Sequence, residues 1–235
     1  MSSSTSWRPT WPGRAGPTTA ARLLRYIAVA SGARRFAALT SDTTGTDAIT
    51  ATPTDFFEVF TSVRYSAAGD DGPRIKRFGD IRCALAELGP AGPFDLIFAD
   101  PFHSYRESRI ALRGVLALTA DRGWLVVHDC LPPLRLAGEH YVDGAWCGST
   151  FAAFRDVATA SGRPWFVIDA DFGLGVIGPV GDGRGAGTTT AKVETRWAAA
   201  DPTARRELLR TSAADLMHVV KPARVSHVVA ALLAG

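Results

Sequence analysis

The chain has 235 residues, 46% of them hydrophobic, with 26 Lys and Arg against 23 Asp and Glu and a formal net charge of +3. That apolar share builds a globular core, the length fits one sizeable α/β domain with at most a small appendage, and no apolar run reaches membrane-spanning length. The basic residues are scattered among acids, which argues against nucleic-acid binding, and the 3 cysteines (Cys83, Cys130 and Cys147) form no Cys-x-x-Cys pair and read as reduced thiols of a cytoplasmic protein.

Residues 1–19 are rich in Ser, Thr, Pro and Gly and carry Trp7 and Trp11. They lack the apolar core of a secretory signal and are expected to form a flexible tail. Residues 20–31 predict a helix with Leu23, Leu24 and Ile27 near one face, ended by Gly32. Phe36-Ala-Ala-Leu39 predicts the first strand, residues 40–46 a polar loop whose one glycine is Gly45, and residues 55–60 the start of a helix capped by Thr54 or Asp55. Residues 64–72 read as a loop. Residues 74–78 alternate as a strand does and end at Gly79-Asp80, and residues 81–88 predict a helix closed by Gly89-Pro90.

Two stretches then carry the chemistry. Phe94-Asp-Leu-Ile-Phe-Ala-Asp100-Pro-Phe-His103-Ser-Tyr105 is an apolar strand that ends in an aspartate, followed by a histidine and a tyrosine. After a helix over 105–118, Gly123-Trp-Leu-Val-Val-His128-Asp129-Cys130 repeats the design. Ligands of an open parallel sheet bind at the carboxyl ends of its strands, so Asp100, His103, His128 and Asp129 are expected in one crevice. Cys130 and Cys147 are expected nearby.

Residues 131–144 form a long loop with Pro132-Pro133, a length typical of binding segments. Residues 149–159 predict a helix, and residues 165–169 and 172–177 a hairpin around Ala170-Asp171. Asp169 and Asp171 read as turn formers. Residues 181–192 read as a linker. Residues 193–235 read as a helical appendage, with one or two amphipathic helices broken near Pro222; they cover the sheet or pair with a second copy of the chain, a route to a homo-oligomer. His218 and His227 are placed at the surface and Trp124 in the core. Alternating strands and helices over residues 20–180 predict an α/β fold: a doubly wound, mostly parallel sheet with a C-terminal antiparallel hairpin.

These motifs in this order resemble the class I S-adenosylmethionine-dependent methyltransferases, and more closely the small bacterial macrocin-type natural-product O-methyltransferases. The matching segments are 94–105, Trp124-Leu-Val-Val-His-Asp-Cys-Leu-Pro-Pro133, Trp146-Cys-Gly-Ser-Thr-Phe151 and Val167-Ile-Asp-Ala-Asp-Phe-Gly-Leu-Gly-Val-Ile177, about 90 residues, the size of a compact half-domain. The N-terminal half departs from the pattern. Ala38 stands where the family's first strand ends in an acid, Thr40 stands where the first glycine of the turn would be, and Gly45 is the one glycine left there. The acid that closes the second strand and grips the ribose has only Asp42, Asp47 and Asp55 as substitutes.

The resemblance implies S-adenosylmethionine as cofactor, with Gly45, Asp80, Asp100 and Tyr105 near it. Asp80 would accept from the adenine amino group. Tyr105 would stack on the adenine or pack its helix against the sheet. The resemblance also implies Mg²⁺ on Asp100 and Asp129, with Cys130 where relatives often have a second acid, a poor ligand for that ion. His103 and Asp100 are the candidate catalytic residues, His103 as general base for an acceptor hydroxyl. His128 orients Asp129 or meets the substrate, and Trp146 and Phe151 line an acceptor pocket. The implied function is O-methylation of a small molecule, a sugar or a secondary metabolite. The alternative is a methyltransferase-fold protein that has lost methyl transfer and serves as a ligand-binding, accessory or non-methylating biosynthetic protein.

Overall fold

Apolar patterning sets the centre of the molecule, and the polar flanks follow from it. The computed structural model describes residues 20–41, 61–65, 74–139, 146–181 and 189–234. Gly45, the expected tail over 1–19 and the helix expected at 55–60 with its cap at Thr54 or Asp55 lie outside the described residues.

The described residues open with helix α1 (Ala20–Ser31) and strands β1 (Phe36–Thr40), β2 (Thr61–Tyr65) and β3 (Arg74–Phe78), then α2 (Ile81–Leu88). The centre is β4 (Phe94–Asp100), α3 (Tyr105–Ala117), β5 (Thr119–Val127) and α4 (Thr150–Ser161). The hairpin β6 (Trp165–Ile168) and β7 (Leu174–Ile177) precedes α5 (Ala191–Ala198), α6 (Pro202–Leu216), β8 (Val219–Val220) and α7 (Val225–Ala234).

The strands form one mixed sheet in the order β3-β2-β1-β4-β5-β7-β6-β8. β1, β4 and β5 are parallel neighbours, β6 and β8 pair in parallel, and among the described strands β2 and β7 run against the rest. The chain moves outward from β1 to β3 and then returns to β4 on the other side. In open α/β sheets ligands bind at such a reversal, which here falls at the carboxyl ends of β1 and β4.

β2 is a correction. Residues 64–65 belong to a strand, not a loop, and Ala37 pairs with Tyr65 and Thr40 with Ser62 in antiparallel register. The alternation of Ser62-Val63-Arg64-Tyr65 suits a strand, but the small and acidic residues that follow it hide the signal.

Both faces are covered. From Leu96 onward, alternation along β4 sends Ile97 and Ala99 into one core with residues of α2 to α6, and Leu96 and Phe98 into a second core with α1 and α7; Phe94, across a register shift from Leu96, joins the first core. β5 divides the same way, Leu125 and Val127 against Trp124 and Val126. Strands buried on both faces need continuous apolar runs, which residues 96–99 of β4 and 124–127 of β5 provide. Trp124 is fully buried, in the core as expected.

The C-terminal segment is part of both cores. Trp197, Leu208, Leu209, Leu216 and Met217 join the first, and Val225, Val229 and Leu232 the second. The buried Arg155 of α4 anchors it, with its guanidinium 2.6 Å from Glu194, its Nε 3.2 Å from the Leu216 carbonyl and its charge over the Trp197 ring. No described helix is long and apolar enough to cross a membrane.

Candidate active site

The parallel register of β4 and β5 creates the site. Ala99 pairs with Val127, and the His128 amide continues the ladder with a 3.0 Å bond to the Ala99 carbonyl. Asp100 and His128 therefore emerge side by side at the carboxyl edge. Asp129 follows at φ 60, a left-handed conformation that aspartate tolerates, and is 3% exposed.

His103 reaches the same edge from the short turn between β4 and α3. Ser104 caps α3 by accepting from the Glu107 amide at 3.2 Å, the Ser-x-x-Glu signature of a helix start. The His103 carbonyl accepts from the Ser149 amide at 2.7 Å. Gly148, at φ 54, lies against that carbonyl so closely that a Cβ would sit 2.0 Å from it.

The side chains converge. His103 Nε2 is 3.4 Å from Asp100 Oδ1, and His103 Nδ1 is 3.1 Å from Asp129 Oδ2. His128 Nδ1 lies 3.2 Å from Asp129 Oδ1 and 3.8 Å from Asp100 Oδ1. His103 Nδ1 is also 2.6 Å from the Trp146 carbonyl, which can only accept, so Nδ1 carries a hydrogen in that contact. The Trp146 ring stacks on the His103 ring at 5.7 Å and 19° and is held by its own Nε1, which donates to the Gly138 carbonyl at 2.9 Å.

Asp171 is the site residue that sequence reasoning assigned only to a turn. Its carboxylate is 3.6 Å from His128 Nε2 and accepts from the Ala20 amide at 2.9 Å. Burial lowers the pKa of His128, but the Asp171 bond and the charges of Asp100, Asp129 and Asp171 outweigh it and raise it to about 9. His128 is thus an imidazolium at neutral pH and cannot serve as a base there. The contact with His128 holds the Asp171 carboxyl below its usual range, ahead of a smaller opposing effect of burial. The signal for Asp171 was its place in a hairpin leaving β7 beside β5; nothing in its local sequence separates it from Asp169, which pairs with Lys221.

Cys130 and Cys147 are buried beside Asp129, as expected for thiols near the crevice; burial first, and Asp129 second for Cys147, pushes both thiols up.

The remaining candidates are distributed more widely. Asp80 stands beyond β3 at the same edge, half exposed, and caps α2 by accepting from the Arg82 amide at 2.6 Å. The Tyr105 hydroxyl donates to Asp156 at 2.7 Å and Arg205 lies over its ring, so Tyr105 packs α3 against α4 and α6. Phe151 is 2% exposed and meets Trp197 edge to face, a core position instead of a pocket wall. His218 is half-buried, with its ring stacked on Trp165 at 4.1 Å and its Nε2 2.9 Å from the Thr189 hydroxyl; this corrects its surface placement, whereas His227 is exposed.

Asp100, His103 and Asp129 offer ligand atoms within 4.8 Å of one another. The set fits Mg²⁺ poorly. That ion takes oxygen ligands in octahedral array, and here each carboxylate faces imidazole nitrogens, with the His128 cation 3.2 Å from Asp129. A nitrogen with two carboxylates suits a borderline transition ion better.

No protein-family model matches the chain, and no curated protein matches it.

Proposed function

We propose that the chain transfers a methyl group from S-adenosylmethionine to a hydroxyl of a small molecule. The observation that carries this reading is the meeting of Asp100, His103, Asp129 and His128 at the carboxyl edge, beside the reversal between β1 and β4. The described part of the crevice suits a cationic cofactor: Asp100, Asp129 and Asp171 leave net negative charge after the His128 imidazolium is counted. Asp80 and Asp100 would hold the cofactor, which supplies an electrophilic methyl on a sulfonium sulfur.

The chain's own residues do the rest. With the His103 Nδ1 hydrogen directed at the Trp146 carbonyl, Nε2 is the atom that takes the acceptor's proton. Asp100 and Asp129 then stabilise the imidazolium that forms, at the distances they already hold. His128 keeps the two carboxylates from repelling each other and so fixes their positions. No step requires a metal ion.

One observation favours the second reading, a methyltransferase-fold protein without methyl transfer. Because β2 is antiparallel, its carboxyl end at Tyr65 pairs with Ala37 at the opposite edge of the sheet from Asp100. β2 therefore cannot present a terminal acid to a ribose at the crevice.

Isothermal titration calorimetry with S-adenosylmethionine separates the two. Micromolar binding is expected, and no heat at millimolar ligand overturns the first reading. With an acceptor in hand, His103→Ala is expected to lower turnover about 100-fold or more, the usual worth of a general base, with folding retained by circular dichroism. Wild-type rates would remove His103 from the mechanism.

A further inference from the structure

The turn joining β6 to β7 is built in a way that folding alone does not require. The Gly173 amide bonds the Ala170 carbonyl at 2.9 Å, closing a four-residue turn. Its central residues, Asp171 and Phe172, have φ of 52° and 57°. Positive φ at both central positions marks the primed hairpin turn, whose preferred pair is Asn-Gly. A left-handed phenylalanine is a true outlier, since its Cβ crowds the carbonyl that follows.

The surroundings enforce the outlier. The Leu131 amide bonds the Phe172 carbonyl at 2.8 Å, and the Cys130 amide bonds the Gly173 carbonyl at 2.9 Å. Gly173 is pressed so tightly on this segment that a Cβ would lie 2.1 Å from the Leu131 nitrogen. The turn is thus fastened to the chain just after Asp129. Burial does not compensate for the strain, because Phe172 is 41% exposed. Its ring meets the His128 ring edge to face at 6.2 Å and 86°. On the other flank, Trp146 stacks on His103, with Phe102 against it at 5.2 Å. The carboxylate and imidazole cluster therefore lies between two aromatic flanks, one of them exposed.

We propose that Phe172 is the acceptor platform: its exposed face receives the flat apolar face of a ring whose hydroxyl is directed at His103, and Asp171 holds His128 beneath it. Strain stored at a site-facing residue, and unrelieved by packing, is the expected mark of such a role. The ligand chemistry is a hydroxylated ring with a flat apolar face, either the plane of a phenol or the C–H face of a pyranose. This deepens the methyl-transfer reading and rests on it for the direction of the hydroxyl, but binding itself can be measured without S-adenosylmethionine. Failure of the cofactor to bind would overturn that reading and leave the platform standing.

Saturation-transfer NMR titrations with umbelliferone, a flat phenol, and methyl β-glucopyranoside, a pyranose, test the proposal on the full chain. Wild type is expected to bind at least one of them. Phe172→Gly is expected to weaken that binding about tenfold, the scale of one lost ring contact, while Phe172→Tyr retains it. Gly suits the turn better than Phe, so the melting temperature of Phe172→Gly is expected to hold or rise. Binding of umbelliferone alone assigns a phenolic acceptor, and of the glycoside alone a sugar. The proposal is overturned if neither probe binds wild type, if Phe172→Gly binds as well as wild type, or if that variant melts lower, which would make the ring a packing element.

Discussion

Burial alone would lower the pKa of His128, yet Asp171, Asp100 and Asp129 reverse that and raise it from 6.5 to about 9. A group whose folded pKa lies above its unfolded value stabilises the fold fully below the unfolded pKa and loses that contribution as pH rises through the folded one. The window here runs from about 6.5 to about 9. Thermal melts of wild type are therefore expected to decline across it, by up to about 3 kcal/mol in stability, while His128→Gln melts with little change over the same range. A flat wild-type profile would contradict the ion cluster. Asp171 acts in the opposite sense: its lowered pKa adds stability above the ordinary carboxylate range, and acid removes it. His128 was legible from its place at a strand end, but its charge was not, because that depends on Asp171 arriving from another hairpin.

At the level of elements, the contact between Gly148 and the His103 carbonyl ties the start of α4 to the turn after β4. Gly148→Ala would place a Cβ 2.0 Å from that oxygen at a φ of 54°, and something must shift. The variant is expected to lose about 2 kcal/mol or more in denaturant unfolding and to displace His103, so ligand binding should suffer with stability. The sequence located α1, β3 and α2 to the residue, because capping and glycine signals bracket each one: Gly32 after α1, Asp80 before α2 and Gly89 after it. β4 was nearly as plain, and so was the apolar half of β5 from residue 123; the first four residues of β5, with Asp121 and Arg122 exposed, carry no apolar signal and were missed. β2, α5 and β8 were not. β2 is a five-residue strand whose direction is set by its pairing with β1 and β3, and β8 is two residues long and exists only through its pairing with β6. Phe151 shows the same limit: an aromatic beside a binding loop reads as a pocket wall until Trp197 of α5 covers it.

Over the whole molecule, the C-terminal helices share both apolar cores with the sheet instead of standing apart from it. Trp197 and Leu216 pack with α4 on one side, and Val225 and Val229 with α1 and β5 on the other. Unfolding is therefore expected to be a single transition, with tryptophan fluorescence and far-ultraviolet circular dichroism melting together. Two separated transitions would mean that residues after 188 form an independent unit. Coverage of both faces also leaves the carboxyl edge, where Asp80, Asp100 and Asp129 stand, as the natural place for chemistry. The backbone amide of Ala20 bonds the Asp171 carboxylate, next to His128. The first turn of α1 is thus anchored at the carboxyl edge, beside the His128 cation. Loss of that amide hydrogen, as in Ala20→Pro, would let the Asp171 carboxyl rise towards its ordinary range and so weaken its hold on the His128 cation.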